Sequence, residues 1–171
     1  KKGDDPPPIE TLFNPLLSPK YSHWLVGPIA FVASIEEIDA YLALDDDANA
    51  EAFIEDFWAR RAADLPVFSV TPRETYQARL TTADKRFREG VRPGSATARG
   101  ILFILHGEPE SIERPRPRRV DDLQQEQWFY PKDASPGLNG QAPQRLYRFV
   151  EIEGRMVRFT GQRARRGPRR P

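Results

Sequence analysis

Five consecutive apolar residues, Ile101-Leu-Phe-Ile-Leu105, stand between two breakers. One is the glycine-flanked loop Gly94-Ser-Ala-Thr-Ala-Arg-Gly100; the other is Gly107-Glu-Pro109. A run with no polar position must be covered on every side, so it constrains the fold more than any other stretch. A short apolar run between turn signals reads as a strand buried on both faces. Each of its side chains, if buried, contributes roughly 1.5–3 kcal/mol relative to exposure. The expectation is a central strand around which the other elements are laid.

Helical patterns lie N-terminal to this run. Ser34-Ile-Glu-Glu37 has the form of a capping box, and Ile35, Ile38 and Leu42 follow on one helical face. Asp45-Asp-Asp47 ends that helix and opens the next with carboxylates at a positive helix terminus, which fits capping better than a calcium loop. The second helix is predicted over 48–63, with Ala50, Phe53, Ile54, Phe57 and Trp58 as its apolar stripe. Thr71-Pro-Arg-Glu74 is a second capping box with proline at the first helical position. Tyr76, Leu80, Ala83 and Phe87 form its buried stripe, and Gly90 is expected to end it. Upstream, Tyr21–Ala33 is apolar but broken by Gly27-Pro28, and the part after Pro28 reads as an edge strand.

Strand-like patterns lie C-terminal. Glu126–Tyr130 alternates, with Trp128 and Tyr130 on one face and Phe129 on the other. Leu146–Ile152 and Met156–Phe159 are predicted to pair through a short turn at Glu153-Gly154. The fold class is therefore α+β: about three N-terminal helices packed on a small, mainly antiparallel sheet. The chain divides into an extended proline-rich arm (1–20), one folded domain (21–160) and a basic tail (161–171).

Composition narrows the chemistry. The 171 residues include no cysteine and two histidines, His23 and His106, so thiolate sites are excluded and a zinc site within one chain is nearly so. No Gly-x-Ser-x-Gly elbow, dinucleotide fingerprint or phosphate loop is present. His106 beside Glu108 is the one acid–base pair that could serve a ligand-binding or hydrolytic site, against the commoner reading of a core histidine. No catalytic, cofactor-binding or metal residue is assigned, and no cofactor is implied. No apolar run of about 18 residues exists that would cross a bilayer.

Both ends carry adhesive composition. The arm sets Ile9, Leu12, Phe13, Leu16 and Leu17 among prolines, too much apolar surface for a solvated linker; it either packs on its own domain or lies on a partner. A proline-stiffened loop carries Arg116, Arg118 and Arg119. The tail carries Arg163, Arg165, Arg166, Arg169 and Arg170. Net charge is +1, and removing those five positive charges leaves a body at −4. That balance disfavours nucleic acid as a partner and leaves an acidic protein or an anionic membrane surface for the basic segments.

Four segments carry a family resemblance: Ile29-Ala-Phe-Val-Ala-Ser-Ile-Glu-Glu37, Phe53-Ile-Glu-Asp-Phe-Trp-Ala-Arg-Arg61, Arg99-Gly-Ile-Leu-Phe-Ile-Leu-His-Gly-Glu-Pro-Glu-Ser-Ile112 and Glu126-Gln-Trp-Phe-Tyr130. Together they make the chain resemble the GWxTD domain proteins, a bacterial group named for a Gly-Trp-x-Thr-Asp motif, from Trp24 to Phe159. At the naming motif Gly94 and Thr97 match, while Ser95 stands in the tryptophan position and Ala98 in the aspartate position. His106 takes a place commonly held by tyrosine. The resemblance implies export or a lipoprotein signal, hence a periplasmic or cell-envelope location peripheral to a membrane. The altered motif, with the two adhesive ends, leads to the expectation of a non-enzymatic accessory or scaffold subunit. Its partners would be other subunits of a membrane-associated complex, bound through Ile9, Leu12, Phe13, Leu16, Leu17, Arg116, Arg118, Arg119, Arg165 and Arg166.

Overall fold

Among the described residues of the computed structural model, 12–65 and 70–159, six helices precede four strands. The helices are α1 (Pro19–Ser22), α2 (Ile29–Val32), α3 (Ile35–Leu42), α4 (Asp47–Asp64), α5 (Pro72–Arg86) and α6 (Ala98–His106). The strands are β1 (Ser111–Glu113), β2 (Gln125–Phe129), β3 (Leu146–Ile152) and β4 (Arg155–Arg158), in the order β1-β2-β3-β4 with every pair antiparallel. The fold is α+β, a helical layer followed by a meander.

The caps form as their sequences dictate. Ser34 and Glu37 exchange both bonds of a capping box at α3, and Thr71 and Glu74 do the same at α5, with Pro72 in its first turn. The α4 cap is Asp46, whose carboxylate accepts from the Asn49 amide at 2.8 Å. Helix α5 ends at Arg86 with Phe87 as its cap, earlier than Gly90. Gly90 instead turns the chain between Glu89 and Arg92 at φ +60°.

The central run is not a strand. Ile101–Leu105 lies in helix α6, opened by Thr97 and closed by Gly107 at φ +77°. Five apolar residues in a row fit a buried helix as well as a buried strand, because neither period is expressed when no polar residue intervenes. Leu102, Phe103 and Ile104 are buried and Ile101 and Leu105 half-buried. The segment after Pro28 is likewise helical, α2, because a proline that lacks an N–H is well placed at the start of a helix.

Helices and sheet share one core. Phe87 bridges the layers, its ring 5.5 Å from Phe103 and 5.3 Å from Trp128, and Trp128 lies 5.4 Å from Phe149. The β3–β4 turn is the predicted Glu153-Gly154 pair, with φ +51° and +75°, the positive values that a tight two-residue hairpin needs.

Of the two places open to the proline-rich arm, the part from Leu12 onward takes its own domain. Leu12 and Leu17 are core residues. Between them Asn14, 1% exposed, donates to the carbonyl oxygens of Tyr41 at 3.1 Å and Leu44 at 2.9 Å and accepts from the Leu16 amide at 3.0 Å. Two apolar residues of this stretch, Phe13 and Leu16, face outward at 42% and 66% exposure.

Candidate functional site

The segment aligned with the naming motif forms a tight joint between α5 and α6. Gly94–Ala96 makes one 3-10 turn, and the Ser95 amide donates to Asp84 of α5 at 2.8 Å. Thr97, fully buried, donates through its hydroxyl to the Gly94 carbonyl at 2.8 Å and accepts from the Gly100 amide at 3.1 Å. A Cβ at Gly94 would lie 1.7 Å from the Ala83 carbonyl oxygen, and one at Gly100 1.8 Å from the Gly94 oxygen. Only glycine permits these approaches. The threonine spends its hydrogen bonds on the helix N-terminus.

The Phe-Ile-x-x-Phe-Trp-x-Arg-Arg segment supplies a second joint. Arg61 grips Glu37 with two hydrogen bonds at 3.0 and 2.7 Å and also donates to the Val32 carbonyl at 2.8 Å. Its guanidinium lies 3.5 Å from the Phe57 ring centroid. Burial opposes ionisation of Glu37, but the bonds from Arg61 and the Ser34 amide, with the charges of Arg61 and Arg60, outweigh it. They hold the carboxyl below its usual range. Glu37 therefore caps α3 and ties it to α4, and Arg61 carries the link on to α2.

The α6 C-terminus is a third joint. Arg79 donates to the carbonyls of Ile104 and Leu105 at 3.0 and 3.1 Å, placing a cation where the helix dipole is negative. The Tyr130 hydroxyl donates to the Gly107 carbonyl at 3.0 Å. His106 lies against Tyr130 and Tyr147, with ring centroids 6.0 and 6.3 Å away, and its Nδ1 is buried with no hydrogen-bond partner among the described residues. Burial first, then the charges of Arg79 and Arg158, push its pKa down to about 4. Glu108, the expected companion of His106, is exposed and held by Arg86 through two bonds at 2.5 and 2.7 Å. His106 sits at a helix end, not a strand end, and the His106–Glu108 pair is not formed.

The fourth place is a polar cleft of about 600 Å³ between the sheet and the turn after α5. Its floor is Glu126, 2% exposed, whose carboxylate accepts from the Trp128 indole at 2.6 Å and the Arg114 guanidinium at 2.9 Å. Arg99 stands 3.5 Å from both Glu126 and Glu89. No motif marks this cluster in the sequence. Its signal was Glu126 sharing strand parity with Trp128, which places a carboxylate on the core face of β2.

The expected partner-binding residues do not converge. Leu12 and Leu17 belong to the core, whereas Phe13 and Leu16 are exposed. Arg116 lines the polar cleft, and the backbone N–H groups of Arg118 and Arg119 both donate to Asp122, which shapes the loop and leaves the side chains exposed. Ile9, Arg165 and Arg166 lie outside the described residues.

Three joints built from one set of signature residues define an α+β domain of helices closed by a meander. The chain belongs to the GWxTD domain family, whose pattern matches residues 16–149. No curated protein and no solved structure matches it.

Proposed function

We propose that this domain is a non-enzymatic accessory or scaffold subunit that docks on a membrane-associated protein complex at the cell envelope. What carries the reading is the exposure of Phe13 and Leu16 on either side of the immobilised Asn14. Two large apolar side chains held outward on a fixed backbone cost little further ordering entropy when a partner covers them. The residues around the family motif support the same reading, since their polar groups serve helix caps. No helix among the described residues is long and apolar enough to cross a membrane, so attachment would run through a partner or an anchor.

The test is native co-purification from source membranes with the Phe13→Glu/Leu16→Glu variant and with a chain lacking residues 1–11. Loss of companions from a folded double variant is the expected result. Full retention by both variants would remove the arm from the interface. Cell fractionation tests the envelope location separately.

A second reading rests on Arg116, Arg118 and Arg119, exposed side chains with no ion-pair partner among the described residues. With Arg165 and Arg166 they would meet an anionic lipid surface, each basic residue contributing about 1 kcal/mol there. Binding to anionic vesicles that falls steeply with salt is its signature.

A further inference from the structure

The guanidinium of Arg99 carries five N–H donors, and none of them makes a hydrogen bond among the described residues. Its nearest partners, Glu89 and Glu126, stand 3.5 Å away. Its Nε is buried, and the side chain as a whole is 17% exposed. Donors this far from water are ordinarily satisfied, so an orphan of this kind calls for a partner. Arg99 lines the polar cleft of about 600 Å³, a volume typical of small-molecule sites. By the strand register, Gln124, Glu151 and Met156 form the last row on the helix-facing side of the sheet, next to the row of Glu126 and Phe149. The turn after α5, the first turn of α6 and the loop after β1 wall this end in. Pro115 and Pro117 stiffen that loop.

The groups left unspent in the cleft select its ligand. Four arginines and three glutamates line it, which leaves one positive charge in excess. Glu89 and Glu126 face Arg99 and Arg114, so the floor is balanced. Arg88 and Arg116 at the mouth have no ion-pair partner among the described residues, and neither has the half-buried Glu151. The carboxamides of Gln124 and Gln125 make no side-chain hydrogen bond there either. Arginine forks facing one cleft recognise an oxyanion, and a single negative charge neutralises the excess. A carboxylate with two carboxamides recognises hydroxyl groups, which donate to the one and exchange bonds with the others.

We propose that this cleft binds a small hydroxylated carboxylic acid, with its carboxylate on the arginines and its hydroxyls on Glu151, Gln124 and Gln125. The acid supplies the acceptor that Arg99 lacks and the one charge that the lining leaves over. The cleft shares no residue with the Phe13–Leu16 surface, so ligand and partner occupy separate places.

The experiment is calorimetric titration of the full chain with D-glucuronate and D-gluconate, a cyclic and an open-chain member of the class. Acetate and D-glucose serve as the two halves of their chemistry. At least one of the two acids should bind at about millimolar concentration or below, and acetate and glucose at least about tenfold more weakly. Binding should shift the Arg99 Nε–H resonance. Arg116→Ala and Glu151→Ala should each weaken it about tenfold, the loss expected for one charge-assisted hydrogen bond. Neither side chain makes a hydrogen bond or ion pair among the described residues, so both variants should fold. No heat and no Arg99 shift with either acid up to about 50 mM overturns the proposal. So does acetate or inorganic phosphate binding as tightly as the hydroxylated acids, or binding indifferent to both substitutions.

Discussion

His106 is where the molecule meets acid. Its folded-state pKa is about 4 against an ordinary 6.5, so between those values the unfolded chain binds a proton that the folded chain does not. Stability from this residue is fully present above pH 6.5 and is lost as pH falls toward 4, by up to about 3 kcal/mol. Urea unfolding across that window should show the loss, and His106→Gln should flatten it. Glu37, whose carboxyl is also held low, adds its own slope toward the acid end of this window, so the difference between the wild-type and His106→Gln profiles is the part that belongs to the histidine. Arg61 makes the second residue-scale prediction. Arg61→Met leaves a largely buried Glu37 with only the longer 3.4 Å pair to Arg60 and should cost about 1–3 kcal/mol by chemical denaturation. Adding Glu37→Gln to that variant should recover part of the loss. Arg61→Lys should not, because an ammonium cannot make the two-pronged bond.

At the scale of elements, α6 shows what a linear reading can and cannot resolve. The boxes at Ser34 and Thr71 were legible because an acid three residues on announces the reciprocal bond. At Thr97 that position is Gly100, so the helix start carried half a signal and the apolar run after it carried no period. The glycine is there because the Gly94 carbonyl needs the space. Gly100→Ala should therefore destabilise the protein, although alanine favours a helix by about 1 kcal/mol over glycine. Thr97→Val should cost about 1–2 kcal/mol through the lost cap. Thermal unfolding of the two variants checks both. Strands β2 and β3 were readable from their alternation, and the β3–β4 turn from its glycine. The buried Glu126 was not, because a carboxylate on a core face makes sense only once Arg99, Arg114 and Trp128 have been folded around it.

Over the whole molecule, the boundary between arm and domain shifts inward. Asn14 ties the start of the described chain to α3 and the turn after it, and the Ser18 amide ties it to Asp47 of α4, through bonds that span about thirty residues of sequence. A chain lacking residues 1–11 should keep its unfolding midpoint, whereas one lacking residues 1–17 should lose several degrees or fail to fold. Differential scanning calorimetry of the two truncations separates these outcomes. Position in sequence suggested an arm over 1–20; burial puts Leu12 and Leu17 of that stretch in the core.

The meander has a consequence for how the protein is made. Its strands complete the aromatic chain Phe103–Phe87–Trp128–Phe149, yet Tyr147 and Phe149 come more than forty residues after Phe103 in sequence. At a synthesis rate of about 5–20 residues per second, the helical layer leaves the ribosome with its sheet-facing surface bare for roughly 2–10 s. During that interval Phe87 and Phe103 are open to any apolar surface nearby. A nascent chain stalled before β3 should therefore be held by chaperones, and one stalled beyond Phe159 released from them.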